Sequence, residues 1–400
     1  MAGYTQKPKK KKTSASRDIA LDKLDFYTEP APKKSKEDKI KGRPKSPLVR
    51  FCHAAFPQAE DSGLEKARKL VLIAAIVVFV GTIAVLISQL ISIDSGRKVN
   101  DQLLNMAGVQ MGTIDMDLDR DPFSTNSFLL GGEVEPVDET EEINVTPLTN
   151  TPLYVDFATL KQENPDTRAW IKITGTYVNN VVVQGRNNDY YLEHDFYGND
   201  SISGTIFSSY KNKWDGTDDN IVLYGHNMIG GDFFASITHY VPNDASREPV
   251  AFYKVHPTVM MATPDGGSQT YKIFAGMLVN TQPQYGEVFE YVNKTSFKSR
   301  EAFNQFIIDV MDRSWFYTDV DVTYGDQLLT MSTCCWPLGK DIDTRWVLVA
   351  RKVRPGESEY VDTTVAERNY NAKLFDYYYN VIGGMWYGST WDKSKLLSYY

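Results

Sequence analysis

The sequence predicts a mainly β domain, a closed or nearly closed barrel of short strands, set behind a single N-terminal membrane-spanning helix. Three observations carry this. Charge is segregated: residues 1–69 hold 18 Lys/Arg against 9 Asp/Glu, residues 70–92 hold none, and residues 93–400 hold 25 against 42. The uncharged stretch is apolar throughout. From about Tyr154, short β-type runs alternate with turn residues. The net charge of −8 conceals the split, and neither a uniformly acidic soluble protein nor a nucleic-acid-binding one is segregated in this way. With 42% hydrophobic residues over 400, the chain can bury a core of one or two folded units plus extensions. Three cysteines, Cys52, Cys334 and Cys335, are too few for a disulfide-stapled scaffold.

The elements follow in chain order. Residues 1–69, rich in Lys, Pro and Ser, have too few apolar side chains to fold and read as a basic, disordered tail suited to anionic lipid headgroups. Leu70–Ser92 is 23 residues long, about 34 Å of helix at 1.5 Å per residue, enough for a hydrocarbon core of about 30 Å. Arg50, Lys66, Arg68 and Lys69 on its N-terminal side outnumber Arg97 and Lys98 on the other. That bias keeps the N-terminus in the cytoplasm and places residues 93–400 outside a single-pass cell-membrane anchor. Residues 93–150 read as an acidic linker: its stretch 113–150 holds ten Asp/Glu against Arg120 alone, a self-repelling, extended composition.

Residues 151–354 carry the β-runs, among them AWIKITG (169–175), NVVVQG (180–185), NIVLYGH (220–226), DQLLTMSTC (326–334) and RWVLVARKV (345–353). Pro264-Asp265-Gly266-Gly267 marks a hairpin. One helix interrupts the strands: Ser299 is its N-cap, Glu301 favours the dipole, and Phe303, Phe306, Ile307, Val310 and Met311 recur at helical spacing as a packing face. Residues 355–400 form a tyrosine-rich extension that either packs on the barrel or presents a recognition surface. No P-loop, dinucleotide fingerprint or zinc-spaced Cys/His set occurs, so neither cofactor nor metal is expected.

A thiol outside the membrane is exposed to oxidation, so its presence argues for a use. Cys334 ends one β-run, His226 ends another, and Arg345 opens a third, an arrangement able to bring a nucleophile, a base and a cation together at neighbouring strand ends. His194, His239 and His256 read as surface or packing residues.

Thr330-Met331-Ser332-Thr333-Cys334 resembles the T-L-x-T-C signature of sortases, with Met in place of Leu. Leu223-Tyr224-Gly225-His226 is similar to their histidine segment, and Arg345 follows eleven residues after the cysteine. The stretch 164–198 and the helix at 299–313, just before the cysteine strand, look like class B in particular. The resemblance covers about residues 150–354 and implies a sortase-like closed barrel with added helices. It also implies a cysteine transpeptidase acting at the cell surface. Cys334 would attack the carbonyl of a Thr in the C-terminal sorting signal of a secreted protein; His226 would serve as acid and then base, and Arg345 would hold substrate and steady the oxyanion. Tyr224, Ser332 and Thr333 are carried over as substrate-binding residues. The implied acceptor is an amine of a peptidoglycan precursor of the lipid II type or of a pilin, with no nucleic acid involved.

Cys335 departs from the pattern, and filling a small pocket is the reading preferred for it. Rival readings are a cell-wall cysteine peptidase, an L,D-transpeptidase, or a tethered scaffold whose site has decayed. Papain-like peptidases place Cys before His, L,D-transpeptidases place Gly before the Cys, and a decayed site would not keep all three residues; here His226 precedes Cys334 and Thr333 stands before it.

Overall fold

The computed structural model describes residues 55–109, 147–228, 230–242, 250–292 and 294–396. The chain divides into two compact units, Met1–Thr82 and Ile83–Tyr400.

In the first unit Ser62 caps the start of α1 (Gly63–Ala107), its hydroxyl accepting from the Glu65 N–H at 3.3 Å. Gly63–Ser88 is long and apolar enough to cross a membrane. The side chains from Leu70 to Phe79 along it are largely exposed, the surface lipid would cover. The helix continues past Ser92, where the anchor was expected to end and the acidic linker to begin. Charged residues mask an apolar stripe here: Leu103, Leu104 and Ala107 recur at helical spacing and are buried against Trp170, Val181 and Phe207 of the second unit, to which they belong. The tail up to residue 54 and the acidic stretch 110–146 lie outside the described residues.

The second unit is built on a closed barrel of eight strands, as the sequence predicts. Its strands are β1 (Thr167–Lys172), β2 (Asn179–Val183), β3 (Phe207–Ser208), β4 (Asn220–Tyr224), β5 (Thr258–Thr263), β6 (Gly267–Asn280), β8 (Leu328–Cys335) and β9 (Thr344–Lys352). They lie in the order β1-β2-β3-β4-β8-β9-β6-β5, closed by β5 on β1. The Pro264–Gly267 turn joins β5 to β6 as a hairpin. β7 (Phe316–Tyr317) and β10 (Glu367–Arg368) form a separate ribbon. Short helices α2 (Phe157–Glu163), α3 (Ala251–Val255) and α5 (Asp376–Ile382) decorate the barrel.

Alternation along the strands sorts side chains by face. Leu329, Met331 and Cys335 of β8, with Trp346, Leu348 and Ala350 of β9, join the barrel-core cluster. The other face is covered by α4 (Arg300–Arg313), whose predicted cap is present: the Ser299 hydroxyl accepts from the Ala302 N–H. Phe303, Phe306, Ile307 and Val310 pack there on Val347 and Val349, each large apolar side chain worth about 1.5–3 kcal/mol.

The C-terminal extension packs back on this framework. Phe375 and Tyr378 are buried in the barrel-core cluster, while Tyr360, Tyr370 and Tyr387 stay exposed. It also grips the loop between β6 and α4. Glu287 pairs with Lys373 at 2.7 Å and with Arg313 at 2.6 Å, and the Tyr285 and Tyr377 rings meet edge-on at 4.8 Å. Gly286, at φ +123°, lets the Asp376 backbone come within 2.7 Å of where a Cβ would stand.

Candidate active site

Two pairings assemble the candidate residues. β4 and β8 run parallel, with Tyr224 opposite Ser332; extending that register by two residues sets His226 opposite Cys334. β8 and β9 run antiparallel, and there Cys334 is the direct partner of Arg345. A thiol, an imidazole and a guanidinium thus come from β8, from the connection just after β4 and from β9, at one rim of the barrel. Cys334 lies on the face opposite that of Cys335, which is buried in the core.

The connection after β4 is pinned to β8. The Gly225 N–H donates to the Ser332 carbonyl (3.2 Å), the Thr333 hydroxyl to the Gly225 carbonyl (2.8 Å) and the Asn227 amide to the Cys334 carbonyl (3.0 Å). His226 Nε2 lies 2.8 Å from the Leu192 carbonyl. A carbonyl only accepts, so the proton sits on Nε2 and Nδ1 is left as the nitrogen able to gain and lose one.

Burial pushes the Cys334 thiol above its ordinary pKa; Arg345 opposes this and Asp343 adds to it. The resting group is therefore a thiol, and a thiolate forms at cost to burial. Burial drives the Cys335 thiol far higher, against the help of the Thr344 hydroxyl. Cys335 is a filler of the core, in line with the reading preferred for it.

Among the described residues Arg345 is tied down through Nη1, which donates to an Asp343 carboxylate oxygen and to the Thr344 carbonyl (3.0 Å). Asp343 is held in turn by the Thr281 hydroxyl, 2.7 Å from its Oδ2, and by Gln282, whose side-chain oxygen accepts its backbone N–H at 3.1 Å. Burial alone would raise the Asp343 pKa, but Arg345 and Thr281 outweigh it and hold the carboxyl below the usual range.

The three residues expected to line a groove differ in availability. Tyr224 is half-buried, its ring tilted on Phe207 at 5.2 Å. Ser332 is buried and shares a 2.7 Å hydrogen bond with the Tyr291 hydroxyl. Thr333 is buried and occupied with Gly225. Tyr291, Asp343, Asn227 and Leu192 escaped the reading of the sequence. Asp343 had only its nearness to Arg345 as a signal, since it stands just outside β9; Tyr291 sits in an irregular loop and had none. Of the remaining histidines, His256 is buried with Nδ1 2.8 Å from the Thr174 carbonyl, His239 packs on Phe252, and His194 stacks on Tyr190 at 4.0 Å. Among the described residues no group of three His, Cys, Asp or Glu side chains could hold a metal ion.

A family model described as the sortase domain matches residues 171–353. The chain is 29% identical to Sortase B of Listeria monocytogenes over 175 residues, 44% of this chain and 65% of that protein. It is 29% identical to Sortase B of Staphylococcus aureus over 178 residues, 67% of that protein. The matches thus span about two thirds of these curated relatives. Among solved structures, Clostridium perfringens sortase B is similar at 33% identity, covering 49% of this chain and 99% of that one, with a TM-score of 0.43.

Proposed function

The chain belongs to the sortase family, on its class B side, and from that premise we propose that it is a membrane-anchored cysteine transpeptidase of the cell surface. The observation that carries the chemistry is the placement of Cys334 directly across from Arg345, with the segment of His226, just past the end of β4, tied to the Cys334 strand by Asn227 and Gly225.

In this reading His226 takes the Cys334 thiol proton on Nδ1, and the thiolate so formed attacks the carbonyl carbon of a Thr in the sorting signal of a secreted protein. The oxygen that gains negative charge is met by the Arg345 guanidinium, which is always charged and presents a fixed fork of donors. As the C–N bond breaks, imidazolium His226 passes its proton to the leaving amine. The neutral imidazole then takes a proton from the incoming amine, which attacks the thioester and expels the thiolate. A peptidoglycan precursor or a pilin lysine supplies that amine. Tyr224 borders the peptide groove. Ser332 and Thr333 act from beneath it, through Tyr291 and Gly225. Within Gly63–Ser88 the uncharged run from Leu70 supplies the anchor, with the basic residues that precede Leu70 on the cytoplasmic side.

The test is incubation of the full chain in detergent with LPxTG-like and NPxTx-like peptides and candidate amines. The expected result is an acyl adduct on Cys334, detected by mass spectrometry, that disappears in Cys334→Ala and persists in Cys335→Ala. The reverse ranking of the two cysteines, or adduct formation indifferent to His226→Ala and Arg345→Ala, sinks the proposal.

A further inference from the structure

We propose that Asp343 is a positioning residue of this site: by taking Nη1 of Arg345 it turns the remaining Nε–Nη2 edge toward the reacting carbonyl beside Cys334. The inference rests on the transpeptidase reading for its substrate and on the geometry for the rest. An arginine has five N–H donors in a planar fork. Every hydrogen bond Arg345 makes among the described residues leaves from Nη1, to Asp343 and to the Thr344 carbonyl, so Nε and Nη2 keep their donors. That edge can meet a single oxygen with two converging hydrogen bonds. Without an anchor at Nη1, a side chain with this many rotamers would spread over several orientations, losing the alignment that rate enhancement requires.

The anchor is built rather than incidental. Asp343 stands immediately before β9 with its carboxylate on the Arg345 guanidinium, and the root of the β6–α4 loop secures that carboxylate. Thr281 reaches it through its hydroxyl at 2.7 Å and also donates its backbone N–H to the Asp343 carbonyl at 3.2 Å. Gln282 accepts the Asp343 N–H. Asp343 is therefore fixed from a different element than the one it steers.

The carboxylate has a second consequence. Cys334 is faced by Arg345 from β9, by Asp343 just before it, by Tyr291 from the loop, by Cys335 on its own strand and by the His226–Asn227 segment beyond β4. Of the two charges, Arg345 favours the thiolate and Asp343 opposes it. Asp343 thus sharpens the aim of Arg345 while blunting its pull on the thiol. Removing the carboxylate should make Cys334 more reactive and the protein a worse transpeptidase while Cys335, buried in the core, stays unalkylated; loss of structure would expose both thiols.

The experiment compares the full chain in detergent with Asp343→Asn, Asp343→Ala and Arg345→Ala. One arm follows the pH dependence of Cys334 alkylation by iodoacetamide, assigned by mass spectrometry; the other follows kcat/KM for peptide transfer. In Asp343→Asn, alkylation at neutral pH should rise by about threefold to tenfold, a shift of up to about one pH unit. Transfer should fall by about tenfold or more. Arg345→Ala should move alkylation the opposite way, and adding Asp343→Asn to it should cost transfer nothing further, because Asp343 acts through Arg345. An alkylation midpoint that stays put or rises in Asp343→Asn, or transfer within twofold of the native chain, overturns the proposal. Should the native chain transfer no peptide at all, the transpeptidase reading fails, and the alkylation arm alone decides the role of Asp343.

Discussion

β8 and β9 cross the barrel together and end in two rims that treat their arginines differently. At the rim away from Cys334, Arg351 is 1% exposed and every one of its nitrogens is engaged: Nε with the Asp321 carbonyl, Nη1 with Glu357 and the Lys352 carbonyl, Nη2 with Asp321 and Glu357. Arg354 forks onto Asp326 and reaches Asp321, and Lys272 completes the set on Glu357. Three cations meet three carboxylates beside an open polar hollow of about 960 Å3 lined in part by Gln327 and Arg354. At the other rim Arg345 meets one carboxylate through one nitrogen. A saturated guanidinium has nothing left to offer a ligand and serves to staple Asp321, Asp326 and Glu357 to the strand end. A half-used one has donors in reserve, and the reserve lies next to a thiol.

That contrast makes a graded set of predictions. The largest effect on stability belongs to the saturated rim: Arg351→Met removes the buried guanidinium that Asp321 and Glu357 share, leaving them to Arg354 and Lys272, and should lower the unfolding free energy by about 1.5–3 kcal/mol in a denaturant titration. Transfer per folded molecule should stay close to native, and a variant of native stability would break the comparison. Arg345→Lys should invert the pattern. A point charge cannot replace the fork, so kcat/KM should drop about 100-fold to 1000-fold, about 2.7–4 kcal/mol of barrier, with the melting temperature little changed.

Acid should separate the rims as well. Burial alone would raise the Glu357 and Asp321 pKa values, but Arg351 with Lys272, and Arg354 with Arg351, outweigh it and hold both carboxyls low. Carboxylates with depressed folded-state values contribute stability that is complete above their unfolded values, about pH 4, and is lost as pH falls through the folded ones. Stability measured against pH should therefore be flat down to about pH 5 and decline below it, and Arg351→Met should soften that decline. The smallest effect is Tyr291→Phe, which strands the buried Ser332 hydroxyl and should cost about 1 kcal/mol in stability, read from the same titrations.

Much of this was legible from the sequence, for reasons that differ by residue. The strands showed through because alternating β-branched and aromatic runs between turn residues have few other uses. The cysteine motif stood out because Thr330 to Cys334 form one continuous strand whose pattern survives without its neighbours. The cap at Ser299 and the face from Phe303 to Met311 were local and were found where they were expected. Contacts that join distant parts of the chain left no trace: Tyr291 on Ser332, Leu192 behind His226, Thr281 under Asp343. The docked end of α1 was hidden by composition, since Arg97, Lys98 and Asp101 gave residues 93–107 the look of a linker while Leu103, Leu104 and Ala107 did the packing.

The grip of the C-terminal extension on the β6–α4 loop also has a temporal meaning. The last barrel strand is complete at Lys352, yet Tyr285 and Glu287 find Tyr377 and Lys373 only some 90 residues after they themselves are synthesised. Contacts of such long sequence separation form late, because the intervening chain must first be ordered. A chain truncated before Lys373 would thus hold a finished barrel whose β6–α4 loop is still unset. Maturation of that loop would then be timed by synthesis of the segment from Lys373 to Tyr377 rather than by closure of the sheet.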